Sequence, residues 1–153
     1  MDATALAASL LDPIPANATL GVTVSSAVDG VGEVEMAVAE PVTNVIGSLH
    51  SSGLVALIDA AGLAAVISAA DRAADFTGVV PLGSEARVTF LAPARGALRA
   101  RCELDEEARA ALAPVLAGAE RKATLATDVE VLDEADAVVC RGAFTWRVRR
   151  TDG

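Results

Sequence analysis

Tyrosine is absent from this 153-residue chain, tryptophan occurs once and phenylalanine three times. Stacking on aromatic rings therefore cannot dominate the recognition of any ligand. Histidine occurs once and cysteine twice, which excludes zinc sites built from several His or Cys and leaves no metal site to expect. The two thiols, Cys102 and Cys140, make no disulfide framework and suit a reducing compartment. There is no Gly-x-Ser-x-Gly elbow and no phosphate-binding glycine loop, so no cofactor is implied. No repeat or linker divides the chain. A single domain over residues 1–153 is expected, with its core at about 17–150 and an N-terminal helix at about 4–11.

Cations are missing from the whole first half. Residues 1–71 carry eight carboxylates and no Lys or Arg, a sum of -8. The other 82 residues carry 13 acids against 12 bases, a sum of -1, which completes the net charge of -9. Such a balance argues against nucleic acid and against anionic membrane surfaces as partners. Side-chain cations for an anionic ligand must come from the second half. Residues 1–11 lack the basic flank of a signal peptide and include Asp2, so a cytoplasmic location is expected. Residues 53–70 invite a membrane reading, because 17 of the 18 are apolar or small. Dominance of Ala and Gly, Asp59 near the middle and the lack of flanking cations or aromatic anchors favour a helix buried in a soluble domain.

What is present is alternation. Leu20, Val22 and Val24 share one face, as do Val34, Met36 and Val38, and Asp29-Gly30 between them signals a hairpin. A short helix at 4–11 precedes them and ends at the Pro13 and Pro15 pair. After an irregular connection at 41–49 comes the long apolar helix, at about 49–70. Four further alternating runs follow. Ala86, Val88 and Phe90 form one, and Leu98, Ala100, Cys102 and Leu104 the next. Val129 and Val131 mark the third, and Cys140, Gly142, Phe144, Trp146 and Val148 the last. Period 2 of this kind predicts antiparallel strands with one dry face. A polar helix at about 106–120 interrupts them, with Pro114 an expected kink or break. The fold class is α+β: a curved antiparallel sheet of about six strands wrapped around one long apolar helix.

Polar chemistry collects in Asn44-Val45-Ile46-Gly47-Ser48-Leu49-His50-Ser51-Ser52-Gly53, followed by Asp59. This segment holds the only His and the only carboxylate within the apolar helix. A buried carboxylate is costly unless paired or kept for function. His50 also fits a helix cap, Asn44 a turn, and Ser51 and Ser52 an ordinary first helical turn. A Ser-His-acid triad would have to use His50, and neither Ser51 nor Ser52 suits that role in a helix beginning there.

The pattern Asn44-x-x-Gly47-x-x-His50, a small-residue helix start and an acid nine positions on resembles the hotdog-fold thioesterase superfamily. Within it, the likeness is to the PaaI-like acyl-CoA thioesterases and related uncharacterised proteins. Val88-Thr89-Phe90-Leu91-Ala92-Pro93 with Gly96, and Phe144-Thr145-Trp146-Arg147-Val148, extend the likeness to about residues 20–150. Three departures stand out: Ser51-Ser52 where the family commonly has Gly-Gly, Leu63 where some members carry a hydroxyl, and a longer helix at 106–120.

The resemblance implies thioester hydrolysis. Backbone N–H groups around Ser52 and Gly53 would polarise the carbonyl, with Gly47 and Ser51 beside them at the substrate. Asp59 would act as nucleophile or general base, and Asn44 and His50 would orient thioester or water. Nine helical residues advance roughly 13 Å and turn through about 900°, so His50 and Asp59 of one helix face opposite ways. A two-fold homodimer, or a homotetramer as a dimer of dimers, could bring one subunit's Asp59 to its partner's helix start. The substrate would be an acyl-CoA or acyl-carrier thioester, its CoA moiety part of the substrate, with Arg121, Lys122, Arg147 and Arg149 candidates for the CoA phosphates. A hotdog protein that binds an acyl thioester or serves assembly without catalysis is the alternative. An enoyl-thioester hydratase fits less well, because position 45, where such enzymes carry an acid ahead of their His, is Val.

Overall fold

The structure is a computed structural model and describes residues 1–151. Helices α1 (Ala3–Leu11) and α2 (Pro15–Leu20) lead into a hairpin of β1 (Thr23–Val28) and β2 (Val31–Ala37). A 3-10 turn at Glu40–Val42 and a loop precede α3 (Ser51–Ser68) and the short α4 (Ala73–Phe76). Then come β3 (Val79–Phe90), β4 (Ala97–Glu103), α5 (Glu106–Leu116), β5 (Lys122–Leu132) and β6 (Val138–Arg150). All six strands form one sheet in the order β1-β2-β4-β5-β6-β3, with every pairing antiparallel.

The sheet curls around α3. Twelve of that helix's 18 residues are buried, including Leu57, Ile58, Ala61 and Ala65. Its length and mean hydropathy of 1.7 would suit a membrane span, but two-thirds of it lies inside the domain, so its apolar surface is already covered. Small residues make the fit possible. At Gly32 on β2 a Cβ would strike the backbone of Ala61, Ala64 and Ala65, so strand and helix approach to main-chain contact there. Trp146 on β6 fills the far side, fully buried, stacked at 5.0 Å on Phe144 and donating from Nε1 to Thr127 Oγ1 at 2.8 Å.

Several sequence expectations shift. The proline pair ends α1, but Pro15 also opens α2, where a missing N–H costs nothing in the first turn. Leu20 therefore closes a helix, and the strand begins at Thr23. Pro114 does not break α5, which runs on to Leu116 and stops short of 120; the Pro114 carbonyl accepts from Ala119 and Glu120 N–H. The long helix spans 51–68 rather than 49–70.

The largest difference is in β3. It is an edge strand of 12 residues, paired only with β6. Phe90 pairs with buried Cys140, Val88 with Gly142 and Ala86 with Phe144, so these residues point to the core side. Yet Ala86 and Phe90 are exposed and Val88 is only half-buried. Along Ala86 to Phe90 the face that alternation marks as dry is mostly uncovered, and only Val88 packs against the core.

Candidate active site

The start of α3 is fixed by the loop before it. Thr43 and Leu49 form a bridge, and Asn44 N–H donates to the Ser48 carbonyl at 2.8 Å. The Asn44 Oδ1 accepts from the N–H groups of Ile46 and Ser48, both at 3.1 Å. Gly47 closes the turn with φ of +73°, a left-handed conformation that glycine adopts without strain. Buried Ser48 ties this loop to the turn after β3: its Oγ accepts from Ala94 N–H at 2.8 Å, and Leu49 N–H donates to the Ala94 carbonyl at 2.8 Å. Arg95 Nη2 donates to the Ile46 carbonyl at 2.8 Å. Sequence reasoning gives Ser48 and Arg95 no role, because neither sits in a periodic run and the burial of Ser48 shows only in the fold.

His50 caps the helix. Its Nδ1 accepts from Ser52 N–H at 3.1 Å and lies 2.8 Å from Ser52 Oγ. With a backbone N–H donated into it, Nδ1 holds its lone pair, and the ring proton sits on Nε2. Hydroxyl and imidazole are in hydrogen-bond contact, because a capping side chain folds back over the first turn. The nitrogen in contact is Nδ1, and no carboxylate bonds the other one among the described residues, so this pair is not a triad.

The backbone donors at the helix start differ in availability. Gly53 N–H donates to the His50 carbonyl at 2.9 Å, and Leu54 N–H reaches the same oxygen at 3.3 Å. Gly53 therefore has no free N–H to offer, contrary to expectation. Ser51 N–H has no partner among the described residues, and Ser52 N–H is held by a side chain that can rotate away. The donors at hand are those of Ser51 and Ser52. Ser51 lines a depression of about 350 Å³ together with Asn44, Ser48, Leu54, Phe90 and Leu91.

Asp59 lies two and a half turns further along. It belongs to the one flank of α3 that is not fully covered, the stripe Ser52, Val55, Ala56, Asp59 and Leu63. Its carboxylate makes no hydrogen bond or ion pair among the described residues, and burial pushes its pKa up to about 6. Helix geometry points it away from the capped start of its own helix, as the nine-residue spacing requires. The fold thus gathers Asn44, Gly47, His50, Ser51, Ser52 and Gly53 at one place and leaves Asp59 apart.

Arg121, Lys122, Arg147 and Arg149 lie elsewhere again. Arg147 and Arg149 alternate with buried Trp146 and Val148, so they face outward at the C-terminal end of β6. Lys122 begins β5 opposite Arg149, and Arg121 precedes it. From Cys140, beside the helix start, to Arg149 is nine strand residues, about 30 Å. A larger hollow of about 680 Å³ on the outer sheet face is lined by arginines and carboxylates, but the sheet separates it from α3. Its charges are mostly matched, Arg101 with Glu33 and Arg141 with Glu130, both at 3.1 Å. Among the described residues no group of three or more His, Cys, Asp or Glu could hold a metal ion.

The profile of the Domain of unknown function (DUF4442) matches residues 4–148. The chain belongs to the DUF4442 family. Solved structures extend this family's likeness. A Pseudomonas aeruginosa protein of unknown function, described as a probable thioesterase, is 26% identical with a TM-score of 0.78, over 97% of this chain and 96% of that one. A thioesterase candidate from Shewanella oneidensis is 16% identical with a TM-score of 0.77, over 99% of this chain and all of that one. A Haemophilus influenzae thioesterase is 19% identical with a TM-score of 0.69, over 92% and 87%. No curated protein matches the chain. The likeness read from Asn44 through Asp59 holds at the level of family and fold: this DUF4442 chain has the hotdog fold, a six-stranded antiparallel sheet wrapped on α3.

Proposed function

We propose that this DUF4442 protein is a thioesterase that hydrolyses acyl-CoA thioesters in a site shared by two subunits. The observation that carries the reading is Asp59, a carboxylate without a partner on the open flank of a core helix. A group placed so expensively is better explained by chemistry than by packing. A second incompletely covered surface lies on the core side of β3, at Ala86, Val88 and Phe90. Antiparallel pairing of two β3 edges about a two-fold axis would cover both surfaces at once. It would also carry Asp59 of the partner subunit toward Ser51 and Ser52.

In that arrangement the thioester oxygen accepts from Ser51 N–H and, once the imidazole swings aside, from Ser52 N–H. The positive end of the 18-residue helix stabilises the developing oxyanion. Asp59 of the partner subunit takes a proton from water, whose oxygen bonds to the carbonyl carbon. Collapse of the tetrahedral species breaks the C–S bond, and the sulfur leaves as a thiol with the proton that Asp59 took from water. Asn44, whose amide NH2 makes no hydrogen bond among the described residues, and the His50 Nε2–H orient carbonyl and water.

A second reading has one observation in its favour: Ser52 N–H and Gly53 N–H are both engaged within the chain. A site whose donors stayed closed would bind an acyl thioester without cleaving it. Thiol release from a panel of acyl-CoAs decides between them. Hydrolysis is expected, with a loss of about 10²–10⁴-fold in kcat for Asp59→Asn and Asp59→Ala. Undiminished turnover in both variants removes Asp59 from the chemistry, and no turnover on any acyl-CoA favours the binding protein.

A further inference from the structure

Asn17, Ser48, Ser68 and Thr127 are the polar side chains buried among the described residues. Each meets a partner, since an unpaired polar group in a core is costly. Asn17 donates to the Leu11 carbonyl, Ser68 accepts from Gly30 N–H, and Thr127 accepts from Trp146. Those three hold scaffold elements together. Ser48 is the one of the four that also lines the depression beside Ser51. Its backbone is fully used by its own turn. The Ser48 N–H donates to Asn44 Oδ1 at 3.1 Å, and its carbonyl accepts from Asn44 N–H at 2.8 Å. Of Ser48, only the side chain is left to reach the turn after β3. There its hydroxyl accepts from Ala94 N–H at 2.8 Å and donates to the Ala94 carbonyl at 3.4 Å. Ala94 is fully buried, so no solvent stands in for the hydroxyl.

On the solvent side Arg95 Nη2 donates to the Ile46 carbonyl at 2.8 Å. Serine inside and arginine outside thus clasp the two walls of the depression, residues 44–54 and 90–93, where they meet. The Ser51 N–H belongs to the first wall, one turn of chain beyond Ser48. A hydrogen-bond donor held in place before reaction stabilises an oxyanion far better than a loose one. We propose that Ser48 is a positioning residue: through Ala94 it holds the Ser51 and Ser52 donors in register with the wall at 90–93, and Arg95 is the outer half of the clasp. The reaction served is the thioester hydrolysis proposed above, and the role of Ser48 rests on that reading. Ser48 touches no reacting atom. Loss of its hydroxyl therefore leaves the substrate bound and slows its conversion, because misplaced donors weaken the transition state more than the ground state.

Ser68→Ala supplies the comparison, since it too takes a buried hydroxyl from a backbone N–H, at the other end of α3. Both serine variants should melt at a lower temperature than wild type, as the loss of any such bond requires. Kinetics with an acyl-CoA, measured well below either melting temperature, separate the two. Ser48→Ala should lose about 10- to 100-fold in kcat, with KM changed by less than about threefold, and Ser68→Ala should keep both constants. Arg95→Met, at an exposed side chain, should lose kcat by a smaller factor. In amide NMR spectra the Ser51 and Ser52 signals should move in Ser48→Ala and stay in Ser68→Ala. A folded Ser48→Ala with the wild-type kcat overturns the proposal, and so does an equal loss of kcat in both serine variants. Should Ser48→Ala fail to fold, Arg95→Met decides: a reduced kcat supports the clasp and an unchanged one overturns it. Should wild type cleave no acyl-CoA, the amide signals decide. Movement confined to Ser48→Ala then supports the positioning of the donors while removing the thioesterase reading, and unmoved Ser51 and Ser52 signals overturn the positioning itself.

Discussion

His50 Nδ1 lies 2.8 Å from the hydroxyl of Ser52 and accepts the Ser52 backbone N–H at 3.1 Å, so a single ring nitrogen closes the first turn of the core helix. A catalytic histidine would need that nitrogen, or its partner, aimed at substrate. Here the cap fixes the ring and leaves Nε2–H as the outward donor. His50 thus holds the helix start shut and stands beside it at once.

Separating those two tasks needs two variants. His50→Ala should cost about 1 kcal/mol of stability, the usual value of an N-cap, whereas Ser52→Ala keeps the N–H to Nδ1 bond and should cost little. If opening the cap limits turnover, Ser52→Ala should raise kcat by loosening the ring. Urea unfolding and steady-state kinetics on the two proteins check both outcomes.

Asp59 should leave opposite marks on activity and stability. Its folded pKa of about 6 lies above the ordinary carboxylate value, so the folded state favours the neutral form. The protein is then stabilised by Asp59 protonation at low pH, and that contribution is lost as pH rises through about 6. Asp59→Asn should therefore be more stable than wild type at pH 8, by about 1–2 kcal/mol after allowance for partial exposure, and the gap should close toward pH 4. Catalysis needs the carboxylate, so kcat/KM should climb with pH through the same region. A flat profile between pH 5 and 7 would remove Asp59 as the base.

The open edge offers a test of the shared site. Ala86 is exposed on the core side of β3, and Ala86→Lys would put a charge in the middle of the proposed subunit contact. Sedimentation should turn from dimer to monomer, and hydrolysis should fall with it. A monomeric wild type at micromolar concentration contradicts the arrangement directly.

Arg150 is a structural cation. Its guanidinium donates to the carbonyls of Val115 and Leu116 at the end of α5, both at 2.9 Å, and to those of Thr77 at 3.1 Å and Asp75 at 2.5 Å. Arg150→Gln should lose about 2–3 kcal/mol, since four carbonyls lose a charged donor together and α5 loses the cation at its C-terminus. Thermal unfolding measures it. An unchanged midpoint would mean that water replaces the guanidinium without loss.

Alternation along Val34 to Val38, Leu98 to Leu104 and Cys140 to Val148 made the sheet legible, and the apolar run around Asp59 made the core helix legible. Period 2 reports which way a side chain points and says nothing of what covers it. Ala86 and Phe90 therefore looked like core residues and proved to be an open surface. Proline punctuation is ambiguous in the same way: Pro15 can end one helix or begin the next, and only packing decides. At the site, Asn44, Gly47 and His50 were legible as a group because turn and cap chemistry are local. The engagement of Gly53 N–H and the contact of Ser52 with His50 depend on how one side chain folds back. The separation of Arg149 from the helix start follows from strand lengths that pattern alone left short.

The sheet order carries a consequence for how the chain is made. β3 is third of the six strands in synthesis, but its sole neighbour, β6, is the last. Through the making of β4, α5 and β5, β3 has no strand within the chain to pair with, and the tryptophan that fills the core has yet to be made. Folding cannot finish from the N-terminus outward. It must wait for β6 to slide between β5 and β3, a step of long sequence separation and therefore slow. A ribosome stalled before β6 would hold a chain with an orphaned hydrophobic strand, the form in which this protein is most exposed to aggregation.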